Sequence, residues 1–265
     1  MVNALLKAID IINLFSPDEP RLTLAEISKR LQMPKSTVHN ILNTLLSRGL
    51  IEKVDNDCYA LGTNFIALTQ AVRVNVELRD RAAPLLRALA DASHQSVYLT
   101  ALDGDLALYI YAIESSRRLL ARTAIGDRAQ LHCTSVGKAM LAFMPEAQVR
   151  GIVERVGLTP FTEATITTWE GLLEDLAETR RRGYSIDAGE HEPGTYCLGA
   201  PIFNARGGVV GACSISGVEP EIVGALSQDL AARVVHTADE ISRRMGYVPA
   251  TTALIAPRFR LAVPG

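Results

Sequence analysis

The chain has 265 residues and a mass of 28.7 kDa, enough for one large domain or two modest ones. Its 48% hydrophobic and 21% charged residues are ordinary for a folded protein. No apolar run reaches the roughly 18 residues of a membrane span, and the first residues have neither the basic region nor the cleavage site of a signal peptide, so a cytoplasmic protein without membrane contact is expected.

The net charge of −2 and the pI near 6.2 argue mildly against nucleic-acid binding. The distribution points the other way. From Arg21 to Lys53 the chain holds six basic side chains (Arg21, Lys29, Arg30, Lys35, Arg48, Lys53) against Glu26 and Glu52. Cys58, Cys133, Cys197 and Cys213 form no Cys-x-x-Cys pair, so neither disulfides nor a structural zinc site is expected.

In chain order, residues 3–15 predict an amphipathic helix with Leu5, Ala8, Ile9, Ile12 and Phe15 on its apolar face. Residues 16–20 break it. Thr23-Leu24-Ala25-Glu26 is a capping box opening a second helix to about residue 31. After the short turn at Gln32-Met33, Pro34 suits the first turn of a third helix, which Gly49 ends. Residues 50–54 and 58–61 read as two strands joined by turn chemistry at Asp55-Asn56-Asp57. Helix, helix, turn, helix, hairpin is the order of a winged helix-turn-helix.

A helix over residues 64–75 follows, with an unpartnered stripe of Phe65, Leu68, Val72 and Val76 that predicts a homodimer. Residues 77–93 predict a further helix in which Pro84 implies a kink or a break. Strands are then expected at 96–102, 106–113, 184–188, 197–203 and 208–216. Helices are expected at 135–143, 146–156, 169–182 and, as one long element, 219–245. Antiparallel strands with helices set beside them give an α+β fold. The proline-containing tail after Tyr247 is expected to be poorly ordered.

In a helix-turn-helix the second helix of the motif enters the major groove. Here Val38, Ile41, Leu42 and Leu45 would pack inward, leaving Lys35, Ser36, Thr37, His39, Asn40 and Asn43 outward. Hydroxyls and lysine suit phosphates, and asparagine can bond adenine through two hydrogen bonds. Lys53 on the wing would reach a neighbouring phosphate. A plain solvated helix face is the competing reading, and a stand-alone sensor or enzyme the competing function. A cysteine nucleophile among Asp187, Glu190, His191 and Cys197, or a metal site adding His132 and Cys133, lacks ligand-like spacing. Neither catalysis nor a cofactor is expected.

Three stretches resemble the IclR family of bacterial transcription factors, and the likeness runs from about Leu5 to Gly246. They are Met33-Pro34-Lys35-Ser36-Thr37-Val38-His39, the run from Leu131 to Ala142 containing Thr134-Ser135-Val136-Gly137-Lys138, and Gly183-Tyr184-Ser185-Ile186-Asp187 continuing through Glu190, Gly194, Cys197, Ala200-Pro201-Ile202-Phe203 and Ser214-Ile215-Ser216-Gly217. Family members often have Arg where this chain has Asn40, which implies a different operator sequence. The resemblance implies a winged helix-turn-helix (residues 1–62), a linker and dimerisation helix (63–78), a GAF-like effector domain (79–247) and a tail (248–265). It implies a regulator of operator DNA, switched by an organic acid or related metabolite and assembled as a homodimer or homotetramer. By position, the effector ligands would be Ser135, Val136, Asp187, Cys197, Ser214 and Ser216. Ser214 and Ser216, two apart on a strand, share one of its faces.

Overall fold

The computed structural model describes residues 2–16, 19–54, 57–70, 73–115 and 125–248, and divides the chain into two compact units, residues 1–76 and 77–265.

In the first unit, α1 (Asn3–Ile12), β1 (Leu22–Thr23), α2 (Leu24–Arg30), α3 (Lys35–Ser47), β2 (Ile51–Val54), β3 (Cys58–Leu61) and α4 (Asn64–Gln70) follow in order. The capping box is formed: the Glu26 amide donates to Thr23 Oγ1 at 3.3 Å, and the Thr23 amide donates to Glu26 Oε2 at 2.8 Å. The turn after α2 puts Gln32 at a φ of 51°, and the Ser28 hydroxyl donates to the Met33 carbonyl at 2.6 Å across it. Ile11, Ile27, Val38, Leu42, Leu45, Ile51 and Tyr59 form the core.

Two expectations change here. Sequence periodicity missed β1, which pairs with β3 to complete a three-stranded sheet in the order β1-β3-β2. The buried face of α1 is the expected one only in part: Ala8, Ile12 and Phe15 pack in this core, but Ile11 is fully buried while Leu5 and Ile9 are 60% and 44% exposed. The apolar arc of this helix is wide, and periodicity does not tell which part of it meets the core. In α4, Phe65 is half-buried and Leu68 exposed. Val72, the Val76 side chain, residues 55–56 of the wing turn and residues 249–265 of the tail lie outside the described residues.

The second unit is built on a six-stranded antiparallel sheet in the order β6-β5-β4-β9-β8-β7. Its elements are α5 (Arg73–Ser93, which begins in the preceding unit's residues), β4 (Ser96–Asp103), β5 (Leu106–Ile113), β6 (Arg128–Gln130), α6 (Ser135–Leu141), α7 (Glu146–Val156), α8 (Trp169–Arg182), β7 (Ser185–Ala188), β8 (Tyr196–Phe203), β9 (Val209–Gly217) and α9 (Ser227–Arg244). α5 runs through Pro84 as one helix instead of two. The expected long helix from residue 219 is a 3-10 turn (Pro220–Ile222) followed by α9. The three-residue strand β6 was not foreseen.

Alternation along the strands splits the interior. Val97, Leu99 and Ala101 of β4, Leu198, Ala200 and Ile202 of β8, and Cys213 and Ile215 of β9 pack with Leu86 of α5 and with Val234 and Ile241 of α9. The second core gathers Val136 and Met140 of α6, Ile152 of α7 and Leu172 and Leu176 of α8 around Ala107 and Ala212 of the sheet. Glycines let α6 approach: a Cβ on Gly199 would lie 2.6 Å from the Ser135 carbonyl oxygen, and one on Gly137 2.2 Å from that of Leu131. Gly199→Ala should therefore destabilise this unit by about 1–3 kcal/mol through overpacking. Gly151→Ala on α7, which meets only the movable end of Arg155, should stabilise it by roughly 0.5–1 kcal/mol. Denaturant unfolding of both variants measures the predicted opposite signs.

Candidate functional sites: an exposed recognition helix and a polar pocket

α3 buries Val38, Leu42 and Leu45 and turns Lys35, Ser36, His39, Asn40 and Asn43 to solvent, with Thr37 half-buried. The Asn43 amide lies 3.3 Å from His39 Nδ1, so these two side chains support each other one turn apart. Lys53, on β2, forms an exposed ion pair with Asp57 at 2.6 Å, which holds the Lys53 ammonium above its usual pKa and the Asp57 carboxyl below its own. The wing lysine thus has a neighbouring acid that competes with any phosphate. The sequence reading did not pair these two side chains.

In the second unit the strand face opposite α5 and α9 opens into a small polar pocket. Ser214 and Ser216 of β9 and Cys197 of β8 line it, as do Asp187 of β7 and Ser135 at the start of α6. Five of the six residues expected from the resemblance therefore converge. Val136, the sixth, directs its side chain into the core beside Met140 and does not line the pocket. The Cys197 thiol donates to Ser216 Oγ at 3.1 Å. Thr134 caps α6 by accepting from the Gly137 amide at 3.2 Å. Tyr98 and Tyr109, in edge contact at 5.7 Å between ring centroids, close one side, and His191, Glu192 and Thr195 of the β7–β8 loop close the other. Neither tyrosine was foreseen, although strand alternation alone puts Tyr98 on the face opposite Val97 and Leu99. The free space is ≈ 40 Å³, room for roughly three water-sized groups.

Charge around the pocket is mostly buried. The Asp187 carboxylate accepts the Glu190 amide at 2.8 Å, yet burial raises its pKa to about 6 against the pull of that bond and of Lys138. Burial likewise raises Glu190 to about 7, against the opposing pull of Lys138. The Cys133 thiol lies 3.6 Å from His191 Nδ1, but burial, together with Asp187 and Glu190, pushes it up to about 12. It stays a thiol at neutral pH, the reverse of an activated nucleophile. Among the described residues no group of three or more His, Cys, Asp or Glu side chains is arranged to hold a metal ion.

Comparison with known proteins decides the family. Residues 70–243 match the model of the bacterial transcriptional regulator IclR C-terminal domain, and residues 4–55 match the IclR helix-turn-helix domain. The chain belongs to the IclR family. The regulator BhcR of Paracoccus denitrificans (strain Pd 1222) is 34% identical over 242 residues, covering 91% of this chain and 86% of that protein. XynR of Escherichia coli (strain K12) is 31% identical over 248 residues, covering 93% and 98%. The crystal structure of Thermotoga maritima IclR superposes with a TM-score of 0.81 at 29% identity, over 93% of this chain and 100% of that one. An IclR homologue from Microbacterium hydrocarbonoxydans, crystallised with 4-hydroxybenzoate, shares the fold with a TM-score of 0.81 at 22% identity, over 92% and 99%. The protein is thus a transcriptional regulator, not an enzyme, with an N-terminal helix-turn-helix DNA-binding domain and a C-terminal effector-binding domain. Among the described residues no helix is long and apolar enough to cross a membrane.

Two predictions follow from the electrostatics. Asp57→Asn, by releasing Lys53, should tighten DNA binding and steepen its salt dependence by about one unit of log–log slope; fluorescence anisotropy across a salt series checks this. A raised carboxyl pKa favours the folded state only where the group is protonated. The contribution of Asp187 is complete below the ordinary value of 3.8 and disappears as pH rises through about 6. Thermal melts between pH 4 and 7 should accordingly show a smaller loss of stability with rising pH in Asp187→Asn than in the wild type.

Proposed function

We propose that α3 reads operator bases through Asn40, His39 and Asn43, while Lys35, Ser36, Thr37 and the wing Lys53 hold the phosphates. The observation behind this reading is the buried seam of Val38, Leu42 and Leu45, which fixes the opposite side of α3 as the exposed one. The short polar side chains there match the donor and acceptor pattern of base edges. We further propose that the protein acts as a homodimer or homotetramer in the cytoplasm. The exposed apolar side chains of α1 and α4, including Leu5, Ile9, Ile66 and Leu68, support a paired assembly through residues 63–78 and their neighbours, and two half-sites call for a two-fold protein. Sedimentation of the protein at micromolar concentration tests this, and a monomer there contradicts it.

The pocket behind Ser135 is the proposed effector site, and a small organic acid or related metabolite its ligand. The support is the convergence of Ser135, Asp187, Cys197, Ser214 and Ser216 on one small space, together with the 4-hydroxybenzoate complex of the Microbacterium hydrocarbonoxydans homologue. Among the described residues that line the pocket none is Lys or Arg. Of these residues the hydroxyls are the side-chain donors open to a carboxylate, and the backbone amide of Val136 is the group that residue can offer. Asp187 fits beside an acid when it accepts from a ligand hydroxyl or is itself protonated.

Mutations separate these roles. Asn40→Ala should relax base preference at one operator position and cost on the order of 1–3 kcal/mol. Lys35→Ala should weaken all DNA sequences alike and flatten the salt slope. Identical behaviour of the two variants would refute the division. For the pocket, the double variant Ser214→Ala/Ser216→Ala should abolish the change in operator affinity caused by small aliphatic acids or 4-hydroxybenzoate while leaving ligand-free DNA binding intact. A full response in that variant would place the effector elsewhere.

A further inference from the structure

Behind the pocket wall lies a second polar cluster that does not line the pocket itself. Lys138, the fourth residue of α6, is fully buried, with Nζ 2.5 Å from Glu190 Oε1 and 3.4 Å from Asp175 Oδ2. The residues that follow it are Ala139, Met140 and Leu141, all core. Burying an ammonium and a carboxylate together is not a general route to stability, because desolvation offsets their attraction and well-packed apolar side chains do as well or better. The position of Glu190 gives the pair a different purpose.

Glu190 belongs to the β7–β8 loop, whose His191, Glu192 and Thr195 form one side of the pocket. Its backbone is fastened at two points. Its amide donates to Asp187 Oδ1 at 2.8 Å, and its carbonyl accepts the Thr165 hydroxyl at 2.6 Å. Thr162 fastens the preceding residue by donating to the Gly189 carbonyl at 2.7 Å. Among the described residues the side chain is fastened by Lys138 alone, and Glu190 Oε2 is buried without a hydrogen bond. Gly189 and Gly194, at φ 81° and 73°, flank this stretch in conformations that give the backbone little stiffness of its own.

We propose that Lys138 is a positioning residue of the effector pocket: through Glu190 it holds the loop of residues 189–195 against Asp187, so that the wall facing the ligand is set before the ligand arrives. The proposal rests on reading this pocket as the effector site. It gives a physical reason for a buried charge on a helix that otherwise needs only apolar side chains.

The test is amide hydrogen exchange on the ligand-free full chain with Lys138→Met/Glu190→Gln, a pair of near-isosteric changes that removes both charges of the pair and leaves Asp175 with Arg182 at 3.9 Å. Exchange at residues 189–192 should quicken by about tenfold, while the amides of β8 and β9 and the thermal midpoint stay as in the wild type. Glu190→Asp, which keeps both charges but draws the carboxylate back by one methylene, should loosen the same amides. Unchanged protection at 189–192 in both variants overturns the proposal. So does loosening spread evenly through residues 77–248, which would make the pair a matter of general stability. The serine double variant described above decides the pocket reading separately, so either idea can fail without the other.

Discussion

The second unit depends on how α6 is seated on the sheet. Its first residue meets β7 and β8 directly: the Ser185 hydroxyl donates to the Ser135 carbonyl at 2.5 Å, and Gly199 leaves room for that carbonyl where any Cβ would collide. Gly137 allows the helix to pass the Leu131 backbone in the same way. Because these contacts involve backbone, the helix start cannot slide without breaking them. The Ser135 end of α6 is therefore a fixed edge of the pocket, and the rest of the helix carries Lys138 inward and Met140 into the core.

Around that seat the sheet has two different faces. On one, β4, β8 and β9 offer Leu99, Leu198, Ala200, Cys213 and Ile215 to α5 and α9. On the other, the same strands offer Ala212 to the second core and, further along, Cys197, Ser214 and Ser216 to the pocket. A polar patch inside a packed layer is tolerable only with hydrogen-bonding partners. The Cys197–Ser216 and Glu190–Asp187 contacts supply some of them. In the first unit the relation is simpler. A seam of Val38, Leu42 and Leu45 fixes which side of α3 is exposed, and the ion pair between Lys53 and Asp57 moderates the charge of the wing.

Much of this was legible in the sequence. The capping box at Thr23, the Gly49 stop, the inward seam of α3 and the alternation that sets Ser214 and Ser216 on one face depend on interactions between near neighbours, and those follow from residue type and spacing. The motif stretches around Ser135 and Asp187 likewise marked the pocket before its walls were known. What stayed hidden depends on distant partners or on weak local signals. β1 and β6 have two and three residues, too few to show a period. The buried face of α1 is chosen by the packing around it, and Pro84 sits inside an unbroken α5 although its own chemistry favours a break.

The sequence by itself determined the order of the longer elements, the two-part organisation, the family, which side of α3 is exposed, and five of the side chains that line the pocket. It could do so because those properties follow from periodicity, caps and motif spacing along the chain. Only the tertiary structure decided that Tyr98, Tyr109 and the β7–β8 loop complete the pocket, that Val136 turns into the core, and that Cys133 meets His191 as an inert thiol. The pairing of Lys138 with Glu190, 52 residues apart, belongs to the same group. Such contacts join segments far apart in sequence, where no local pattern specifies the partner and burial alone sets the charge each group can hold.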